Sequence, residues 1–318
     1  MVSNKLLEAA QKIYDFDKGT VHLINDGANK VYKFKKDEKY YILRFSKRPA
    51  EKIHETKAEM DWLYYLWSNN ISVALPLKTN NGETVASAQD SGENYLITSF
   101  EMVSGQLLNT NDPNHWNQKA FFGWGRTMGD IHSASKNFKP ANAKDVRSVF
   151  DGRFALEDIV KKHPSVNKIA EELIKEIMRL PKDKDSYGLI HNDMHPLNFH
   201  INRDKINVFD FDDALYGWFS LDIGIALYHG LLWGRKENGN ELTNIIIENF
   251  IKGYLSGNHL SDFWLSKIPM FMKFRQICNF SWIFNPGNID DKQKEFIHNI
   301  ENGILFTDCN INYALFKI

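Results

Sequence analysis

At 318 residues and 36.9 kDa, with 43% apolar and 25% charged residues, the chain has room for one large core or two lobes. A net charge of −1 and a pI near 6.8 leave no bulk electrostatic case for nucleic acid or an anionic membrane as partner. Two cysteines, Cys278 and Cys309, without a CxxC pair, argue against a disulfide framework and a thiolate metal site. The opening MVSNKLLEAAQKIYDF alternates charged and apolar residues and lacks a signal-peptide core. The stretch LDIGIALYHGLLWG (221–234) carries Asp222 and His229 and is too short to span a bilayer. The expectation is a cytoplasmic protein without membrane segments.

In chain order, TVHLIN (20–25), KVYKF (30–34) and YYILRF (40–45) read as a meander of three strands, joined by Asp26-Gly27 and the polar turn KKDEK. EKIHETKAEMDWLYYLWSNN (51–70) has helical periodicity through Ile53, Met60, Leu63 and Trp67. SVALPLK (72–78) and NYLITSFEM (94–102) are further strand candidates, separated by the turn Asn81-Gly82. Beyond Gly105 the texture turns helical, at 116–135 and 166–180, with Pro181 ending the second helix. A short β section at 189–215 interrupts, and helices resume at 244–255 and 268–284. A β-rich first third followed by a helical remainder suggests two lobes: residues 1–99 and 104–318, with a hinge at 100–103. The aromatics Tyr228, Trp233, Trp282 and Phe284 are expected in the core of the second.

The densest chemistry lies in GLIHNDMHPLNFHIN (188–202). Asp193 and Asn198 lie five apart with Pro196 between them, so a loop is the setting and not a helix interior. Extended NFHI, the turn NRDK and INVFDF read as a hairpin that would return Asp210 toward Asn198. A carboxylate and a carboxamide are hard oxygen ligands suited to Mg²⁺, and a second aspartate could accept a proton from an attacking hydroxyl. The order Asp193, Asn198, Asp210 is that of phosphoryl-transfer sites: proton acceptor, metal-binding Asn five residues on, then metal-binding Asp.

These residues, His191-Asn192-Asp193 with Asn198 and Asp210-Phe211-Asp212, resemble the aminoglycoside phosphotransferase and choline kinase superfamily, small-molecule relatives of the protein kinases. The resemblance spans most of the chain. It implies an α+β, two-lobed, protein-kinase-like fold, with an antiparallel sheet and one main helix in the first lobe. LINDGANKVYKF (23–34) is similar to the phosphate-covering loop, with Gly27 permitting a tight turn. Arg44 falls where the family has a basic residue on the phosphates. Lysine is usual there, and arginine keeps the charge with a forked geometry. Glu59 matches the helix glutamate that pairs with it, Glu101 and Val103 match the hinge backbone that meets adenine, and Asp222 matches an aspartate that buttresses the catalytic loop. The resemblance implies transfer of phosphate from ATP (GTP is an alternative) with Mg²⁺ to a hydroxyl of an amino alcohol, amino acid, sugar or aminoglycoside.

Other readings stay open at this level. Asp and Asn also favour turns, His191, His195 and His200 also suit a scaffold, and Arg44 with Glu59 could be an exposed ion pair of little worth. VFDFDDAL (208–215) resembles the opening motif of haloacid-dehalogenase phosphatases, with Asp210 as nucleophile and Asp212 as acid, though Asp213 stands where that motif has glycine. His191, Asp193, His195 and Asp210 could instead form the dinuclear metal site of a hydrolase. A nucleotide-binding pseudokinase is a third alternative.

Overall fold

The computed structural model describes residues 1–152, 164–234 and 239–283, with isolated positions at 291, 294, 295, 298 and 299. Phe284 and Cys309 lie outside the described residues, as does the side chain of Trp282. The chain forms two compact units. One comprises Met1–Gln106, Asn137–Ser148 and His200–Ala214; the other comprises Leu107–Lys136, Val149–Phe199 and the chain from Leu215 onward.

The first unit is built on a five-stranded antiparallel sheet: β1 (His22–Asp26), β2 (Asn29–Lys36), β3 (Lys39–Lys47), β4 (Ala86–Asp90) and β5 (Glu93–Glu101), in the order β1-β2-β3-β5-β4. Alternation along β2 and β3 sends Tyr32, Phe34, Leu43 and Phe45 into a core that also takes Leu6, Ala10 and Tyr14. Those last three lie on helix α1 (Asn4–Tyr14), whose N-cap Ser3 accepts from Leu6 N–H at 3.2 Å. Helix α2 (Ile53–Ser68) buries Glu59 on the same face as Met60, Leu63 and Leu66.

The stretch 72–78, expected as a strand, makes single bridges at Val73 with Val208 and at Pro76 with Phe100. Its proline is the reason: Pro76 has no N–H to donate to a ladder. Strand β6 (Gln106–Leu107) is two residues long. The hairpin at the Asp-rich segment is real but shorter than expected, β8 (Phe199–Asn202) and β9 (Lys205–Val208), the strand β7 preceding them in the chain.

The second unit holds α3 (Gln118–Ser135), α4 (Pro164–Met178), β7 (Tyr187–Ile190), β10 (Leu215–Trp218), α5 (Phe219–Gly234), α6 (Gly239–Gly257), α7 (Asp262–Leu265) and α8 (Ile268–Ile283). β7 and β10 form an antiparallel pair, Ile190 opposite Leu215. Helix α5 is buried from Phe219 to Tyr228 without an exposed face, so the apolar run at 221–234 is the central helix of a core. No described helix is long and apolar enough to cross a membrane.

Helices α3 and α6 touch backbone to backbone. A Cβ at Gly125 would stand 1.9 Å from Phe250 O, one at Gly129 2.4 Å from Tyr254 O, and one at Gly253 2.0 Å from Phe122 O. Glycines four apart on both helices leave no side chain in the seam, and dispersion between the two backbones replaces it. This approach brings His132 of α3 within 3.0 Å of Tyr254 Oη on α6.

Candidate active site

Two clusters of functional side chains stand out, one in each unit. In the first unit, Arg44 sits mid-strand on β3, opposite Val31 and Thr98. Its Nη2 donates to Glu59 Oε2 at 2.8 Å and its Nε to Thr98 Oγ1 at 3.2 Å. Arg44 is 4% exposed and Glu59 fully buried, so this is a buried pair and not a surface one. Burial works against the Arg44 charge, but Glu59, Asp212 and Asp210 outweigh it and hold the guanidinium more firmly protonated than usual.

Asp210 follows β9 with φ 65°, in the left-handed region, and its carboxylate is 51% exposed, 3.9 Å from Arg44 Nη1. The chain then turns through a short 3-10 helix at Phe211–Asp213. Both carboxylates approach the same Arg44 nitrogen, but Asp212 is only 13% exposed. It turns inward and accepts from Asn29 Nδ2 at 2.9 Å and Arg48 Nη2 at 2.6 Å. Arg44 Nη1 lies 3.6 Å from it, and Arg147 donates to its backbone carbonyl. Burial pushes the Asp212 carboxyl up, but Arg44 and Arg48 win and its acidity is increased. A carboxylate held ionised by guanidinium groups cannot serve as the general acid of a dehalogenase-type phosphatase.

Gly27 lies in the β1–β2 turn, but its φ is not in the left-handed region; its N–H donates to Asn25 Oδ1 at 3.0 Å. The turn thus rests on the asparagine and not on a glycine-only conformation. Glu101 ends β5, its N–H donating to Leu75 O at 2.8 Å, and Val103 O accepts from His200 Nδ1 at 3.4 Å.

In the second unit the loop after β7 carries Asp193. Asn192 adopts φ 65°, and the bend is held from below by Asp222 of α5. Asp222 Oδ2 accepts from His191 N–H at 2.9 Å and from His132 Nε2 at 3.0 Å; Oδ1 accepts from Asn192 N–H at 2.8 Å. His191 Nδ1 accepts from Asp193 N–H at 3.3 Å. His195 N–H then bonds Asp193 O, and Asn198 N–H bonds His195 O, each at 2.8 Å.

Asp193 itself is bonded by Asn198 Nδ2 at 3.0 Å and His195 Nε2 at 3.2 Å on Oδ2, and by Arg275 of α8 on Oδ1. Burial raises its pKa, but His195 and Arg275 together hold the carboxyl well below the usual range. A carboxylate only accepts, so the bond to Asp193 fixes the Asn198 carboxamide with its nitrogen inward and directs Oδ1 away. Carboxamide Oδ1 and the half-exposed Asp210 carboxylate are the oxygen donors that Mg²⁺ prefers. Among the described residues no group of three or more His, Cys, Asp and Glu side chains is placed to hold a metal, so the dinuclear hydrolase arrangement has no geometric support there.

Arg275, His229, Arg48, Arg147 and Asn29 were not singled out from the sequence. Arg275 carried a signal: with Lys273 it is one of two charges in the otherwise apolar helix IPMFMKFRQICNF, and a buried arginine is rarely left unpaired. Arg44 and Arg48 share a strand face by period two. Arg147 had no local signal.

The model of the phosphotransferase enzyme family APH matches residues 20–260. The chain belongs to that family. It is 35% identical over 320 residues to an amicoumacin kinase of Bacillus subtilis (strain 168), covering 95% of this chain and 93% of the relative. A solved structure of the amicoumacin kinase hAmiN in complex with AMP-PNP, Ca2+ and Ami superposes with TM-score 0.87 and 29% identity, covering 95% and 94% of the two chains. A microcompartment-associated aminopropanol kinase (TM-score 0.73, 20% identity, 96% and 100% covered) and the spectinomycin phosphotransferase APH(9)-Ia (0.61, 14%, 100% and 97%) share the fold. The α+β, protein-kinase-like fold expected from the sequence is therefore the fold of this phosphotransferase, which uses ATP and a divalent metal to phosphorylate a hydroxyl group of a small molecule.

Proposed function

We propose that the acceptor is amicoumacin or a close chemical relative of it. The likeness that carries this is the 35% identity over nearly the whole length of an amicoumacin kinase. The chemistry beside Asp193 agrees with it: Arg275 bonds Asp193 directly, and a fixed cation there disfavours a polycationic aminoglycoside.

In this reading Asp193 accepts or orients the proton of the acceptor hydroxyl, and Asn198 and Asp210 hold Mg²⁺. The metal, when bound, neutralises charge on the phosphates. Arg44, set by Glu59, clamps the phosphates, the Gly27 turn covers them, and the backbone at Glu101 and Val103 meets adenine across a hinge at 100–103. Asp222 keeps the loop at 191–193 in one conformation, which matters because catalysis of phosphoryl transfer is mostly positioning.

The test is ADP release by purified protein with Mg·ATP, and separately Mg·GTP, against amicoumacin, aminopropanol, spectinomycin and a polycationic aminoglycoside. Turnover with amicoumacin far above the others is expected; its absence, with another acceptor turned over, overturns the substrate. Asp193→Ala should abolish that turnover while calorimetry shows Mg·ATP still binding, and Asp210→Ala should weaken Mg·ATP itself. Wild-type rates in the first variant, or unchanged affinity in the second, refute the assigned roles.

A further inference from the structure

The loop that carries Asp193 already supplies two donors to one oxygen of its carboxylate. Asn198 Nδ2 and His195 Nε2 both face Oδ2, at 3.0 and 3.2 Å. Leu197 N–H donates to His195 Nδ1 at 3.2 Å, so that nitrogen is an acceptor and the ring proton sits on Nε2, aimed at Asp193. A carboxylate oxygen offers about two lone-pair directions, and on Oδ2 both are taken.

Oδ1 differs. Its partner is Arg275 Nη2, which leaves one direction open. Arg275 is 6% exposed, and its Nε donates to His229 Nε2 at 3.0 Å. A guanidinium has no acceptor, so His229 must present a bare Nε2 and keep its proton on Nδ1. The guanidinium thus spans from α5, where His229 sits, to the loop, with a different nitrogen engaged at each end.

We propose that Oδ1 is the oxygen that receives the acceptor's proton, and that Arg275, braced by His229, is the positioning residue that aims it. This rests on the reading of Asp193 as the proton acceptor. In the step, the acceptor O–H bond breaks and its proton passes to Oδ1. A new O–P bond forms at the γ-phosphorus of ATP. The bridging P–O bond breaks, and its electron pair leaves on the β-phosphate of ADP. A cation on the receiving oxygen makes it a weaker base, which a loose phosphoryl-transfer transition state tolerates because it asks mainly for placement.

The experiment compares Arg275→Met, Arg275→Lys and His229→Phe, each alone, and Arg275→Met on an Asp193→Asn background. Amicoumacin serves as acceptor, or whichever panel member is turned over, and calorimetry follows Mg·ATP affinity. Arg275→Met should lower kcat by ~100-fold through misplacement of the carboxylate, with Mg·ATP affinity unchanged. Lysine has one ammonium and cannot engage both partners, so Arg275→Lys should recover only part of that loss. His229→Phe keeps the guanidinium but removes its brace, and a loss of ~10-fold in kcat is expected.

On the residual turnover of Asp193→Asn, Arg275→Met should cost nothing further, because both substitutions disable one unit. Wild-type kcat in a nucleotide-binding Arg275→Met protein overturns the proposal. So does a full additional loss on the Asp193→Asn background, which would place Arg275 on some other part of the reaction. If Arg275→Met fails to bind nucleotide, His229→Phe decides: wild-type kcat there overturns the brace and with it the proposal. Wild-type turnover in Asp193→Asn alone would refute the underlying role of Asp193 instead, so the two failures are separable.

Discussion

Asp222→Asn is the sharpest probe of how the loop at 191–193 is held. The carboxylate accepts three bonds: Asn192 N–H on one oxygen, His191 N–H and His132 Nε2 on the other. A carboxamide keeps one oxygen and turns the other into a donor. Its better orientation retains the His191 and His132 bonds and sets an NH₂ against Asn192 N–H. One charge-assisted bond is lost and a buried N–H is left unsatisfied, which together cost about 2–4 kcal/mol. Asp222→Ala loses all three acceptor contacts and should cost roughly twice as much. Equilibrium urea unfolding gives the stability. Because Asp193 follows the strained Asn192 directly, kcat at saturating Mg·ATP should fall by ~100-fold in Asp222→Asn. Stability within ~0.5 kcal/mol of wild type together with full turnover would refute the reasoning.

Removing Glu59 by Glu59→Ala breaks a buried pair and should cost ~3 kcal/mol, the lower end for such pairs because Asp212 still lies 3.6 Å from Arg44; a thermal melt checks it, and an unchanged midpoint contradicts it. Gly125→Ala puts a methyl 1.9 Å from Phe250 O and should lose at least ~3 kcal/mol by overpacking. Gly230→Ala, whose Cβ would meet the Trp124 ring edge at 3.3 Å, should stay close to neutral because a helical alanine regains ~1 kcal/mol. Burial lowers the pKa of both His132 and His229, against the opposing pull of Asp222 on the first. Below the ordinary value of 6.5 the unfolded chain therefore binds more protons than the folded one, so stability is intact above that pH and declines as pH falls through it. Between pH 6 and 5 the decline from His229, pushed down to about 2, should be about 1 kcal/mol, with His132 adding in the same direction; a flat profile by urea titration there would contradict their burial as neutral rings.

The parts of the molecule that repeat locally were legible in the sequence. The period-two pattern of KVYKF and YYILRF gave two neighbouring strands, and the spacing of Met60, Leu63 and Trp67 gave α2. Where a single residue overrides a pattern, the reading slipped: Pro76 breaks the strand expected at 72–78, and the left-handed Asp210 ends extended geometry before Asp212. Helix α1 was passed over although Leu6, Ala10 and Tyr14 recur every four residues after the cap Ser3. Asp193, Asn198 and Asp210 were found because their spacing is itself the motif. Arg147 and Arg275 were not, since their partners lie 65 and 82 residues away and no nearby pattern records such a pairing.

The glycine contacts between α3 and α6 have a bearing on how this enzyme could acquire new acceptors. His132, which underlies Asp222 and through it the loop of Asp193, is carried on α3 about two turns past Gly125 and one past Gly129. Widening that seam by a methyl would displace the foundation of the proton-accepting loop before it changed any residue an acceptor touches. Mutational searches for altered selectivity should therefore find the bare backbone seam between α3 and α6 almost immovable.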